Sequence, residues 1–159
     1  MDEQSRSTSN GSPALLVEYK LKAVMENVPV ATKCVARVAQ EVGFGEHALY
    51  QIELAIDEAC ANVVEHAYPA QQEGEMEVSC YLDDRPGLGR AFVIRVRDWG
   101  TGFDPAAVER PDVDAPLEDR GLGGLGLFLV KQVMDQIKFR FDPQRGNELL
   151  MFKRLELAE

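Results

Sequence analysis

Glu58, Asn62 and His66 recur at intervals of four residues. On a helix that spacing sets a carboxylate, an amide and an imidazole along one edge. The edge lies about one residue's rotation from an apolar stripe of Ile52, Ala55, Ile56, Ala59, Val63 and Ala67. The three polar groups would therefore meet a cleft at the rim of a core. Asparagine offers a neutral oxygen to Mg²⁺, which keeps most of its waters and takes only one or two protein ligands beside phosphate. Glutamate is a suitable acceptor for a hydroxyl proton. A helix with ordinary solvated polar residues has the same pattern. Asp57 points about 100° away from Glu58 on such a helix, so Glu58 is the better candidate base.

Two further segments carry chemistry. Asp98-Trp99-Gly100-Thr101-Gly102 follows an apolar run; an aspartate there accepts a hydrogen bond from an amine on a flat ligand. Its glycines allow close approach or a positive φ, as they would in a plain turn. Gly121-Leu122-Gly123-Gly124-Leu125-Gly126 leads into an apolar helix. Free amides at a helix N-terminus bind phosphate, and glycine lets it come close. This run also matches a dinucleotide-binding fingerprint, which requires a buried strand directly before it. Residues 112–120 are acidic and contain proline instead, so that reading is rejected, although Asp142 sits near the end of the next predicted strand. A Walker phosphate loop is absent, because no G-K-[ST] follows the glycines.

The elements that must hold these groups read as β-α-α-β-β-loop-α-β-β. Ala14–Ala23 has strand character. Asn27 is placed to cap a helix with Pro29 in its first turn and Gly43 and Gly45 at its end. A second helix is predicted from Glu46 to Tyr68, stopped by Pro69. Met76–Leu82 and Ala91–Val96 form a hairpin around Pro86-Gly87. A glycine loop then leads into a helix over Leu127–Met134. Ile137–Phe141 and Glu148–Leu155 are the last strands. Hairpins dominate, so the expected fold is α+β: a two-layer α/β sandwich with a mixed, mostly antiparallel sheet and helices on one face. Residues 1–12 are expected to be disordered, with a single domain over 13–157. Residues 103–120 contain three prolines and little periodicity, which marks a long functional loop.

Composition bounds the partners. The net charge of -10 disfavours nucleic acid and anionic membranes. It does not exclude a triphosphate neutralised locally by Mg²⁺ and amides. Cys34, Cys60 and Cys80 are odd in number and lack metal-site spacing, which fits buried free thiols in a reducing compartment. No apolar run is long enough to span a membrane, and residues 1–12 carry no leader-like apolar segment. A cytoplasmic location is the expectation.

Taken together and in order, Glu58-Ala59-Cys60-Ala61-Asn62 with His66-Ala67-Tyr68, then Asp98-Trp99-Gly100-Thr101-Gly102, then Gly123-Gly124-Leu125-Gly126 resemble the boxes of the GHKL ATPases. That superfamily includes gyrase, MutL and histidine kinases. Within it, the short length and the segments LAIDEACANVVEHAY and GGLGLFLVKQVMDQI resemble the anti-sigma-factor serine kinases of the RsbW and SpoIIAB type, over about residues 14–155. The resemblance implies the Bergerat-type ATP-binding fold, with ATP and Mg²⁺ bound. Asn62 would ligate Mg²⁺, and Glu58 would be the general base for a partner's serine or threonine hydroxyl. Asp98 would bind the adenine amine, with Gly100 and Gly102 shaping that pocket. Gly121, Gly123, Gly124, Leu125 and Gly126 would cradle the phosphates, and residues 103–120 would be a lid. His66 either approaches the phosphates or caps the core; Arg120 is either a lid arginine on the γ-phosphate or a surface charge. Two registers of the Gly-Leu-Gly box are open, which leaves Arg120 and Gly121 in question.

The family also implies partners: a small STAS-domain anti-sigma-factor antagonist as substrate, a sigma factor as the alternative ligand, and commonly a homodimer. The rival functions are a nucleotide-dependent regulatory module that transfers no phosphate and the ATPase piece of a histidine kinase. The latter needs a phosphoacceptor histidine on a dimerisation helix, and the chain has only His47 and His66 and no long helical hairpin to spare.

Overall fold

A computed structural model describes residues 13–69, 72–101 and 122–155, with the side chains of 122–125 left out. Five strands form one sheet in the order β1-β2-β3-β5-β4: β1 (Ala14–Lys22), β2 (Glu75–Arg85), β3 (Gly89–Asp98), β4 (Gln136–Asp142) and β5 (Gly146–Arg154). All four pairings are antiparallel, the antiparallel limit of the expected sheet. Three helices, α1 (Val28–Val42), α2 (Glu46–Asn62) and α3 (Leu122–Val133), accompany it. None is long and apolar enough to cross a membrane.

The two-residue period of the strands divides the sheet into unlike faces. Met76, Val78 and Cys80 of β2, Phe92, Ile94 and Val96 of β3, and Leu149 and Met151 of β5 join the main core. Ala31 and Val35 of α1, Ile52, Ala55, Ile56 and Ala59 of α2, and Leu127 and Val130 of α3 complete it. The opposite face carries an ion ladder. Arg95 Nη2 donates to Glu77 Oε1 at 3.1 Å, and Arg97 Nη2 donates to Glu148 Oε1 at 3.1 Å. Cys60 and Cys80 are buried free thiols whose pKa burial pushes up to about 12, and Cys34 is half-buried. Burial of this kind keeps a thiol unreactive.

Three sequence expectations change. Asn27 does not cap α1: its backbone is already helical, and its Nδ2 donates to Lys22 O at 2.9 Å instead. The second helix does not run as α to Tyr68; it becomes a π turn over Val63–Ala67. The third helix begins at Leu122, so Gly123, Gly124, Leu125 and Gly126 stand in its first turns rather than in a preceding loop. Glycine weakens a helix through its backbone freedom, which is why the sequence pattern placed the start later. Gly43 ends α1 as expected, with a left-handed φ of 119°.

Lys153 ties the two layers together. Its Nζ donates to Gln51 Oε1 of α2 at 2.6 Å and to Val133 O at the end of α3 at 2.7 Å. A cation suits the carbonyl end of a helix, where the dipole is negative. The bonds also anchor α2 and α3, the two helices that carry the candidate site.

Candidate functional site

The site forms where α2, the end of β3 and the start of α3 meet. α2 has small buried residues, Ala55 and Ala59, on its inner face, beside Ile52 and Ile56. Glu58 and Asn62 lie half-buried at the rim of that face. Just after Asn62 the backbone widens into the π turn, a feature often found at functional sites. Asn62 Oδ1 and His66 Nε2 are both buried and have no hydrogen-bond partner among the described residues. A buried polar atom without a partner is costly, so the Asn62 oxygen calls for a ligand.

β3, the central strand, ends at Asp98, opposite Met76 of β2 and Asn147 of β5. Asp98 is only 6% exposed. Its Oδ1 accepts from Gly100 N–H at 2.9 Å and from Asn147 Nδ2 at 3.0 Å. Burial pushes its carboxyl pKa up, and those two bonds partly oppose the rise. A side chain on Gly100 would run into the Ala67 carbonyl of the π turn. The Thr101 amide also donates to that carbonyl at 2.9 Å. Tyr68 adds a clamp: its hydroxyl accepts from Trp99 N–H at 3.0 Å and donates to Glu75 O at 2.6 Å. The Asp98–Thr101 segment is thus sewn to the end of α2.

α3 approaches the same place. A Cβ built on Gly126 would stand 2.5 Å from Glu58 Oε2, so the glycine lets the helix backbone come up to the carboxylate. The Glu58 pKa is raised, first by burial and then by the negative charges of Asp57 and Glu65. A carboxylate tuned upward suits proton abstraction. Asn62, Asp98, Leu127 and Asn147 line one cleft, backed by Ala59, Val96 and Phe139.

The structure therefore brings Asn62 and Asp98 to one cleft, while Glu58 and Gly126 meet one residue before its lining residues Ala59 and Leu127, with Gly100 beside Asp98 and His66 in the adjoining π turn. Gly123, Gly124 and Leu125 stand on the α3 backbone leading into it. Gly102, Arg120, Gly121 and the lid segment 103–120 lie outside the described residues. Asn147 and Tyr68 carry site contacts that the sequence reading did not assign. The signal for Asn147 was its place directly after a turn glycine in the hairpin's second strand. Nothing in the sequence alone showed that this strand pairs with β3.

The family model for the histidine kinase-like ATPase domain matches residues 21–153. Among curated proteins, the serine-protein kinase RsbW of Halalkalibacterium halodurans is 34% identical over 90% of this chain and 85% of its own. The RsbW serine-protein kinase of Bacillus cereus is 33% identical over 88% and 85%. That of Listeria monocytogenes serovar 1/2a is 30% identical over 86% and 85%. The chain belongs to the RsbW serine-protein kinases of the histidine kinase-like ATPase family. The resemblance drawn from the three sequence boxes thus holds at both levels, superfamily and branch, and the α+β sandwich with it. RsbW-type membership makes ATP the nucleotide to test against this cleft. The donor set also suits Mg²⁺. Among the described residues there is no cluster of three or more His, Cys, Asp or Glu side chains for a protein-built metal cage. A single orphaned amide oxygen at Asn62 is what an ion otherwise held by phosphate and water needs.

Proposed function

We propose that this RsbW-type chain transfers the γ-phosphoryl group of ATP to a serine or threonine hydroxyl of a STAS-domain anti-sigma-factor antagonist. In the other state of the cycle it holds a sigma factor. The observation that carries the reading is the buried Asn62 Oδ1, without a partner among the described residues, on a cleft that Asp98 and Leu127 also line.

In this reading Asp98 accepts the adenine amine at the floor, with Gly100 and Gly102 letting the ring approach. The amides of Gly121, Gly123 and Gly124 at the helix N-terminus hold phosphate oxygens, and Leu125 and Gly126 shape the helix turn behind them. Glu58, with its raised pKa, takes the proton of the incoming hydroxyl. The seryl oxygen then bonds to the γ-phosphorus while the bond to the ADP oxygen breaks. Phosphoryl transfer asks little covalent help of a protein, so positioning and charge neutralisation account for the rate. Asn62 Oδ1 would hold Mg²⁺, which when bound neutralises phosphate charge. Arg120 would supply further positive charge from a lid over residues 103–120, and His66 would either reach the phosphates or close the core.

The product carries nearly two added negative charges, enough to break an interface. That is the logic of partner switching: a phosphorylated antagonist leaves, and the kinase returns to its sigma factor in the cytoplasm, as a homodimer in this reading. The test is transfer of labelled γ-phosphate to a candidate antagonist. Wild type is expected to label it, and Glu58→Gln to bind ATP but not label it. A wild-type chain that binds ATP and antagonist and transfers nothing would make it a non-catalytic regulatory module instead.

A further inference from the structure

Asn147 touches Asp98, yet no role has been given to it. It stands directly across the β3–β5 ladder from Asp98. One residue earlier, Gly146 has a φ of 89°, and a side chain there would strike the Asp98 carbonyl and come within 2.8 Å of Trp99 Cδ1. The hairpin turn is fixed by Asp142, whose Oδ1 accepts from the amides of Gln144 at 2.8 Å and Arg145 at 3.2 Å. β5 is thus held hard against the end of β3, and Asn147 is delivered to one spot.

Its amide nitrogen is fully committed there. Nδ2 donates to Asp98 Oδ1 at 3.0 Å and to Gly100 O at 2.7 Å. A flipped amide would set its oxygen against two acceptors, so the partners settle which end is nitrogen. Oδ1 of Asp98 is also taken by Gly100 N–H. Among the described residues no donor engages Oδ2. The carboxylate is therefore locked in one rotation, with one oxygen consumed by the protein and one kept for a ligand.

We infer that Asn147 is the positioning residue for base selection: by holding Asp98 and Gly100 together, it presents a single carboxylate oxygen to the exocyclic amine of adenine. Asn147 acts through Asp98, and the inference rests on the nucleotide reading above. A 6-amino purine donates to that oxygen. A 6-oxo purine sets a carbonyl oxygen against it, and a purine without a 6-substituent leaves it unpaired. Without Asn147 the carboxylate is held by the Gly100 N–H alone, its rotation is less fixed, and the amine loses its advantage while ring and phosphate contacts remain.

The experiment measures dissociation constants of the full chain with Mg²⁺ for ATP, GTP and purine riboside triphosphate, which lacks the 6-amino group. Competition against a fluorescent ATP analogue reports binding without catalysis. Wild type is expected to prefer ATP over purine riboside triphosphate by at least about ten-fold, the size of a hydrogen bond to a charged group. Asn147→Ala is expected to weaken ATP about ten-fold and purine riboside triphosphate by less than about two-fold, collapsing the preference. Asn147→Ser keeps one donor and is expected to recover part of it, which guards against a folding defect in the alanine variant. Equal weakening of all three nucleotides in both variants, or an unchanged ratio, overturns the inference while leaving the nucleotide reading intact. A wild-type chain that binds none of the three overturns both.

Discussion

Gly126→Ala separates fold from chemistry at a single methyl group. The added Cβ would stand 2.5 Å from Glu58 Oε2, 3.5 Å from its Cδ and 3.8 Å from its Cβ. Ordinary contact begins near 3.4 Å, so only the terminal oxygen must withdraw, by about 0.9 Å. That oxygen ends a flexible, half-buried side chain, so the move costs little stability. Alanine also recovers about 0.5–1 kcal/mol of helix propensity over glycine. The melting temperature should hold or rise slightly. Catalysis should not hold: misplacing a reacting group by about 1 Å can cost on the order of 100-fold in rate. The assay is labelled phosphate transfer to an antagonist at saturating ATP, beside ATP affinity and thermal melting. The expected result is a fall in transfer of about 10- to 100-fold with affinity within about three-fold of wild type. Unchanged transfer would refute the placement of Glu58 as the base. A large drop in melting temperature would refute the claim that the carboxylate simply swings aside.

Other perturbations test neighbouring parts. Transfer should fail as pH falls through the Glu58 pKa, and because that pKa is raised, the acid limb should lie above the ordinary glutamate range. Asp57→Asn removes one of the raising charges and should move the limb to lower pH, read from a rate–pH profile; no movement would remove Glu58 from the limb. Tyr68→Phe deletes the bonds to Trp99 N and Glu75 O and should cost about 1–2 kcal/mol in urea unfolding, with altered emission from Trp99, the only tryptophan of the chain. Lys153→Met strands Val133 O and Gln51 and should cost about 1–3 kcal/mol; a neutral result would deny the link between β5 and the helices.

Much of the architecture was legible because its signals are periodic. The stripe from Ile52 to Ala67 predicted which side chains of α2 and the π turn would enter the core. Pro69 and Gly43 punctuated the helices as their backbone chemistry requires. What escaped the reading depends on tertiary neighbours. The π turn at Val63–Ala67 has no compositional mark; its residues fit an α-helix equally well. Asn27 was a reasonable cap by type, but the chain reached it already helical, leaving its amide for Lys22 O. The early start of α3 was hidden by glycines that disfavour helix on their own and are tolerated where Gly126 must pass Glu58. Asn147 was invisible for a different reason. Its importance comes from strand order, which sets β5 rather than β1 or β4 beside the end of β3. The carboxylate, amide and glycines of the site were legible by type and order, whereas their supporting contacts were not.

The most direct measurement is a calorimetric titration of the full chain with ATP, with and without Mg²⁺, on wild type, Asp98→Ala and Asn62→Ala. If the cleft holds Mg-ATP as argued, wild type takes up one equivalent. Asp98→Ala then loses uptake in either condition, and Asn62→Ala loses only the increment that Mg²⁺ provides. Uptake indifferent to both substitutions, or no uptake by wild type, would contradict a single cavity shared by residues 62 and 98.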